Sequence, residues 1–228
     1  MSSAQHIRID TLRTKNVAFG DGAHAGDNVS PADEPAPADT DRVSVRMGFA
    51  VDVMGYSGRS ASGKQDAQRR VADFVEESAR RLNVVIDSGS RQSTGDGMVV
   101  FLPSTVEVHR ALPTLIRTTV DWLASDNQRY RDRIRLRMAV VIGPVGPAPI
   151  GFSGNTVVEC CRLVDSKPLR DALIDHLDAD LAVLISEKLY AFVIGEGHPG
   201  LDADQFRRVH VQVKDYEADA WLWEGAGR

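Results

Sequence analysis

Cysteine is almost absent: the 228 residues hold two, the neighbours Cys160 and Cys161. A bond between adjacent cysteines is strained, so both thiols read as reduced, in keeping with a cytoplasmic protein. No second Cys/His pair stands at a spacing that would complete a zinc site, and the two thiols read as small buried residues on a helix. No apolar run approaches the roughly 20 residues that span a bilayer. The N-terminus, MSSAQHIRIDTLRTKN, has no apolar stretch of the secretory kind. Positive charge is not in excess either. With 27 Lys and Arg against 32 Asp and Glu, the formal net charge is −5. Broad attraction to nucleic acid or to an anionic membrane is therefore not expected, although a local basic site for phosphate is compatible with it.

What remains is an ordinary globular composition, 43% apolar and 26% charged. The length suits one substantial domain with an appendage. Residues 1–42 form the appendage. Short alternating runs (Ile7, Ile9, Leu12, then Val17 and Phe19) suggest weak strands, and SPADEPAPADTD (Ser30 to Asp41) reads as a Pro/Ala/Asp-rich linker. Such a piece is too small for a core of its own.

Residues 43–228 are patterned throughout. VSVRMGFAVDVMG predicts a central strand ending near Asp52, and KQDAQRRVADFVEESARRLNV an amphipathic helix with Ala67, Val71, Phe74, Val75, Ala79 and Leu82 on one face. NVVID and GMVVFLP read as two strands around a turn. TVEVHRALPTLIRTTVDWLAS reads as a second helix, kinked or started at Pro113. RIRLRMAVVIG predicts a strand, GPVGPAPIGFSG a Gly/Pro loop, and NTVVECCRLVDS a short helix capped by Asn155. KPLRDALIDHL and EKLYAFVI read as further helices around the strand LAVLIS, and RRVHVQVK with ADAWLWE as a closing strand pair. Paired strands with packed helices indicate an α+β sandwich, not a doubly wound parallel sheet.

Two acids attract chemistry. Asp52 ends the first strand of this region, and Asp96 sits in a glycine-flanked turn, STGDG, directly before an apolar run. In an antiparallel sheet a strand end and a hairpin tip can be neighbours. Two carboxylates held close repel unless a cation lies between them. Mg²⁺ or Mn²⁺ suits such a pair, because hard cations take oxygen ligands and retain positions for substrate phosphates. Spacing alone leaves a second reading open, two solvated turn acids.

Four segments in order, FAVDVMGYSG, STGDGMVVF, RIRLRMAVVIGPV and GNTVVECCRLVDS, resemble the catalytic domain of class III nucleotidyl cyclases, and LISEKLY…VHVQVKDYEADAWLW resembles its closing elements. The resemblance covers roughly residues 43–224. It implies a ferredoxin-like palm sandwich with a mainly antiparallel sheet. It also implies two ions, Mn²⁺ or Mg²⁺, on Asp52, Asp96 and the carbonyl of Val53. The implied reaction turns a nucleoside triphosphate into a 3′,5′-cyclic monophosphate and pyrophosphate at a homodimer interface. Arg162 falls at the transition-state arginine, the alternative being a surface arginine paired with Asp165 or Glu159. Lys214 falls near a lysine for terminal phosphates, the alternative being an exposed strand lysine.

The departures from the pattern concern the sugar and the base. Val158 replaces the ribose-orienting asparagine. Gly151 stands where adenylate cyclases carry a purine-selecting aspartate, and the purine-reading lysine maps onto Gln92 or its neighbour Arg91. Tyr56 replaces a phenylalanine, either stacking on a base or packing as a core aromatic. Loss of both purine readers with retention of both acids is similar to the pyrimidine cyclases of Pycsar antiphage defence, which make cyclic UMP or cyclic CMP for a separate effector. Two alternatives stand beside that expectation: an adenylate or guanylate cyclase with unusual base contacts, and a catalytically silent nucleotide-binding module.

Overall fold

The computed structural model describes residues 42–149 and 151–223; the expected weak strands and linker of the appendage lie outside these residues. Eight strands and five α-helices are laid out along this stretch. Strands β1 (Ser44–Val53), β2 (Arg91–Ser93), β3 (Gly97–Phe101), β4 (Leu136–Ala148), β5 (Gly151–Ser153), β6 (Leu181–Ser186), β7 (Phe206–Val213) and β8 (Tyr216–Trp223) give the sheet order β2-β3-β1-β4-β6-β8-β7, with β5 paired to β4. Among these pairings only β4–β6 is parallel. This is the mainly antiparallel α+β arrangement expected from the sequence.

Alternation along the strands divides the core between two faces. On one, Phe49, Val51, Val100, Met138 and Val140 meet α1 (Ala61–Leu82) and α2 (Val108–Arg129). Phe74 of α1 lies 5.4 Å from Trp122 and 6.3 Å from Phe49, ring centre to ring centre. On the other face, Ala50, Val99, Phe101, Ala139 and Val141 meet α3 (Asn155–Val164) and α4 (Lys167–Asp175). A short helix, α5 (Glu187–Tyr190), follows β6, with the Ser186 hydroxyl accepting from the Leu189 amide.

Helix ends follow side-chain chemistry. Ser60 caps α1 by accepting from the Gly63 amide. Asn83 closes it in the left-handed region, φ 53°, and the Val84 amide bonds back to the Ala79 carbonyl, 3.0 Å. The buried Arg70 ties α1 to the end of α2 through Asp126 and the Asp132 carbonyl, with its guanidinium 4.6 Å from the Tyr130 ring centre.

Four expectations are corrected. NVVID is no strand: it is the exit of α1, with Val85 80% exposed, and the hairpin partner of β3 is the polar triplet Arg91–Ser93. The Gly/Pro loop is largely strand, since β4 runs on through Pro144 and Pro147 and folds back on β5. Pro113 lies inside α2, which begins at Val108. Asn155 does not cap α3; the cap position belongs to Gly154, at φ 121°. Asn155 is the first helical residue.

Candidate active site

Asp52 is the last residue but one of β1 and is only 6% exposed. Its register partners are Gly97 on β3 and Arg137 on β4. Asp96 immediately precedes Gly97, and its carbonyl accepts from the Val53 amide at 3.1 Å. The two acids therefore stand on adjacent strand ends. A Cβ on Gly97 would collide with the Val51 carbonyl oxygen, so glycine is what permits β3 to lie this close to β1. The turn between β2 and β3 is fastened to α1 by Gln68, which donates to the Gly95 carbonyl at 2.6 Å.

The Asp52 carboxylate is used unevenly. Its Oδ2 accepts from Nη2 of Arg137, while its Oδ1 is buried with no hydrogen-bond partner. Nε and Nη1 of Arg137 are likewise buried and unpartnered. Burial and then Arg170 lower the proton affinity of Arg137, and Asp165 opposes them, so the α3–α4 corner stands close to this ion pair. Arg137 belongs to the RIRLR segment but was not a predicted site residue. In that alternating stretch it reads as a solvated side chain, and its partner lies 85 positions away.

Among the described residues no group of three or more His, Cys, Asp or Glu could hold a metal ion. The donor set is the leaner one that Mg²⁺ and Mn²⁺ accept, one or two carboxylates with the rest from water and phosphate. An orphaned, buried carboxylate oxygen at Asp52, with Asp96 and the Val53 backbone alongside, fits that requirement.

Of the predicted base-reading positions, Gln92 and Gly151 meet, whereas Arg91 and Tyr56 lie on the α1 side. Arg91 donates to Glu76 of α1 at 2.6 Å and so faces the α1 side. Gln92, the next strand residue, faces the other way and reaches β5: a Cβ on Gly151 would collide with its side-chain amide oxygen. Phe152 holds β5 there, its ring 4.9 Å from that of Phe101 and edge-on to it. Gln92 pairs with Val99 and Val99 with Ala50, which puts Gln92 on the face that carries Asp52, two positions along the sheet. Tyr56 does not join this group. It packs against the core on the α1 side, with the Lys64 amine 5.8 Å from its ring centre.

Arg162 and Lys214 form a second group. Arg162, near the end of α3, donates to Asp215 at 3.5 Å, and its Nε is buried without a partner. Its partner is neither Asp165 nor Glu159. Lys214 adjoins Asp215 in the β7–β8 turn, exposed and at φ 56°, a conformation uncommon for a residue with a side chain. Among the described residues no hydrogen bond or ion pair joins Arg162 or Lys214 to Asp52 or Asp96, and β4, β6 and β8 lie between β1 and β7. Val158, one turn before Arg162, is 49% exposed and brings no hydrogen-bonding group.

No family model and no curated protein matches the chain. Solved structures do. The adenylyl cyclase CyaB from P. aeruginosa superposes with a TM-score of 0.54 at 14% identity, over 82% of this chain and 97% of that one. The guanylyl cyclase Cya2 gives 0.53 at 13% identity, over 81% and 92%. The catalytic core of a rhodopsin-guanylyl cyclase with converted specificity, in complex with ATPαS, gives 0.53 at 14% identity, over 79% and 97%. The two-faced sheet that brings Asp52 beside Asp96 thus has the fold of adenylyl and guanylyl cyclase catalytic domains.

Proposed function

We propose that this protein is a metal-dependent nucleotidyl cyclase that converts a pyrimidine nucleoside triphosphate, UTP or CTP, to its 3′,5′-cyclic monophosphate and pyrophosphate. The observation that carries the reading is the juxtaposition of Asp52 and Asp96, with one Asp52 oxygen buried and unpartnered. Mn²⁺ or Mg²⁺ bound by these carboxylates and the Val53 carbonyl would supply charge neutralisation and a more acidic ribose 3′-hydroxyl. The chain's own part is placement. Arg137 fixes one oxygen of Asp52 and so orients the other. The planar fork of Arg162 suits charge developing at the α-phosphate during in-line transfer, and Lys214 the terminal phosphates.

The pyrimidine assignment rests on Gln92 and Gly151. Position 151 offers no side chain, and the neutral amide of Gln92 occupies the space beside it. An amide presents a donor and an acceptor to a small polar base edge, whereas a purine site built on two charged readers has lost both. In the resembled family the acids of one subunit face the arginine of another, and on that model a homodimer of this chain would hold two complete sites. The resemblance to Pycsar cyclases, on its own, is what supports a signalling role for the product in antiviral defence, acting on a separate effector.

Val158 favours a second reading, a silent nucleotide-binding module. Incubation of the purified protein with Mn²⁺ and each of ATP, GTP, CTP and UTP, with chromatographic separation of products, decides the matter. Cyclic UMP or cyclic CMP supports the proposal. Cyclic AMP or cyclic GMP alone overturns the base assignment, and triphosphate binding without product supports the silent module.

A further inference from the structure

Arginine stands at 133, 135 and 137, every second residue into the start of β4. Arg137 pairs with Asp52, and alternation sets Arg135 on the same side of the chain. The partly buried guanidinium of Arg135 donates to four acceptors. Three are the carbonyls of Leu173 (2.5 Å), His176 (2.6 Å) and Ala179 (2.7 Å), where α4 ends with no donors of its own left. The fourth is the sulfur of Met54 at 3.6 Å. Met54 is held a second time, because its amide donates to the Arg135 carbonyl at 2.9 Å.

That second hold sets the direction of a peptide. The Met54 N–H points to β4, and a trans peptide turns the Val53 carbonyl the opposite way. The Val53 N–H donates to the Asp96 carbonyl, so the opposite side is the β3 side, where Asp96 stands. A cation between Asp52 and Asp96 would meet the Val53 carbonyl as long as Met54 keeps this place.

Resting on the cyclase reading, we propose that Arg135 is a positioning residue for the metal site. It braces Met54 against the end of α4 and so aims the Val53 carbonyl at a cation held by Asp52 and Asp96. Arg133 braces the same connection, through Asp180 and the carbonyls of Leu177 and Asp178, and among the described residues has no hydrogen bond to Met54. Comparing the two arginines separates support of a metal ligand from support of the fold.

Mn²⁺ binding to the nucleotide-free protein, followed by electron paramagnetic resonance, tests this. Arg135→Met and Arg135→Lys are each expected to weaken binding about tenfold or more, the usual effect of losing a group that orients a metal ligand. Acting through charge alone, Arg135→Met would tighten binding by removing a nearby cation, and Arg135→Lys would leave it unchanged. Arg133→Met is expected to bind Mn²⁺ as the native protein does. In turnover, the Mn²⁺ concentration for half-maximal rate should rise in the Arg135 variants, while the KM for nucleotide at saturating Mn²⁺ holds. Circular dichroism establishes which variants are folded. Unaltered or tighter binding in a folded Arg135 variant, or an equal loss in Arg133→Met, overturns the positioning role, while Mn²⁺ binding that depends on Asp52 leaves the cyclase reading standing. Absence of Mn²⁺ binding by the native protein, or binding that Asp52→Ala does not weaken, overturns both.

Discussion

Arg137 and Asp52 are direct neighbours across the β1–β4 ladder and share an ion pair from which almost all water is excluded. Taking two charges out of water is costly, and removing one partner leaves the other uncompensated. Arg137→Met is therefore expected to destabilise the fold by about 3–5 kcal/mol in metal-free buffer. A cation on Asp52 would replace the lost charge, so MnCl₂ should raise the melting temperature of Arg137→Met more than that of the native protein. Equal shifts would argue against Asp52 as a metal ligand.

Gly97 permits the approach of β3 to β1. In Gly97→Ala the new methyl group meets the Val51 carbonyl oxygen, a backbone atom that cannot swing aside. The expected loss is about 3 kcal/mol or more by urea unfolding, with loss of product formation because Asp96 moves away from Asp52. Unchanged stability would mean that the strands are less closely apposed than described.

How much of this was legible beforehand differs by element. The periodicity of Ala67, Val71, Phe74 and Val75 announced α1, and the alternation around Phe49 and Val51 announced β1, because burial on one face writes a pattern into the sequence. NVVID misled because a run of β-branched residues serves equally as a strand or as a helix exit. Asn83 in the left-handed region decided it, and spacing does not show backbone angle. The true strand β2, Arg-Gln-Ser, has no apolar residue to betray it and is held by its ladder to β3. Among the candidate site residues, Asp52 and Asp96 were suggested by their places at a strand end and a hairpin tip, and Gln92 by motif resemblance. Arg137 was not, since cross-strand pairing across 85 positions leaves no local trace.

Gly151 adopts φ 122°, which residues with a side chain rarely take, and its missing Cβ is where the Gln92 amide sits. Gly151→Ala is expected to cost about 1–3 kcal/mol from the backbone and to displace Gln92. Discrimination among the four triphosphates, read as the ratio of kcat/KM values, should fall. A preserved ratio would place base selection elsewhere.

Cys160 is fully buried, and burial, then its neighbours Cys161 and Glu159, hold its thiol well above the ordinary range. Cys161 is raised too, chiefly by burial. A raised thiol has less thiolate at a given pH, and the thiolate is the nucleophile. At pH 8 iodoacetamide should label neither residue of the folded protein at the rate of a free cysteine, and both after denaturation, as read by mass spectrometry. Fast labelling of native Cys160 would contradict the packing of α3 on β4.

The central claim is that acids on β1 and β3 of one subunit work with the arginine on α3 of another. Asp52→Ala and Arg162→Ala proteins, each inactive alone, are mixed and allowed to exchange subunits, and cyclic nucleotide is measured. Half of the dimers are then mixed, each with one intact site and one doubly damaged site, so the account predicts recovery of about a quarter of native activity. No recovery once mixed dimers are demonstrated by native mass spectrometry would contradict it.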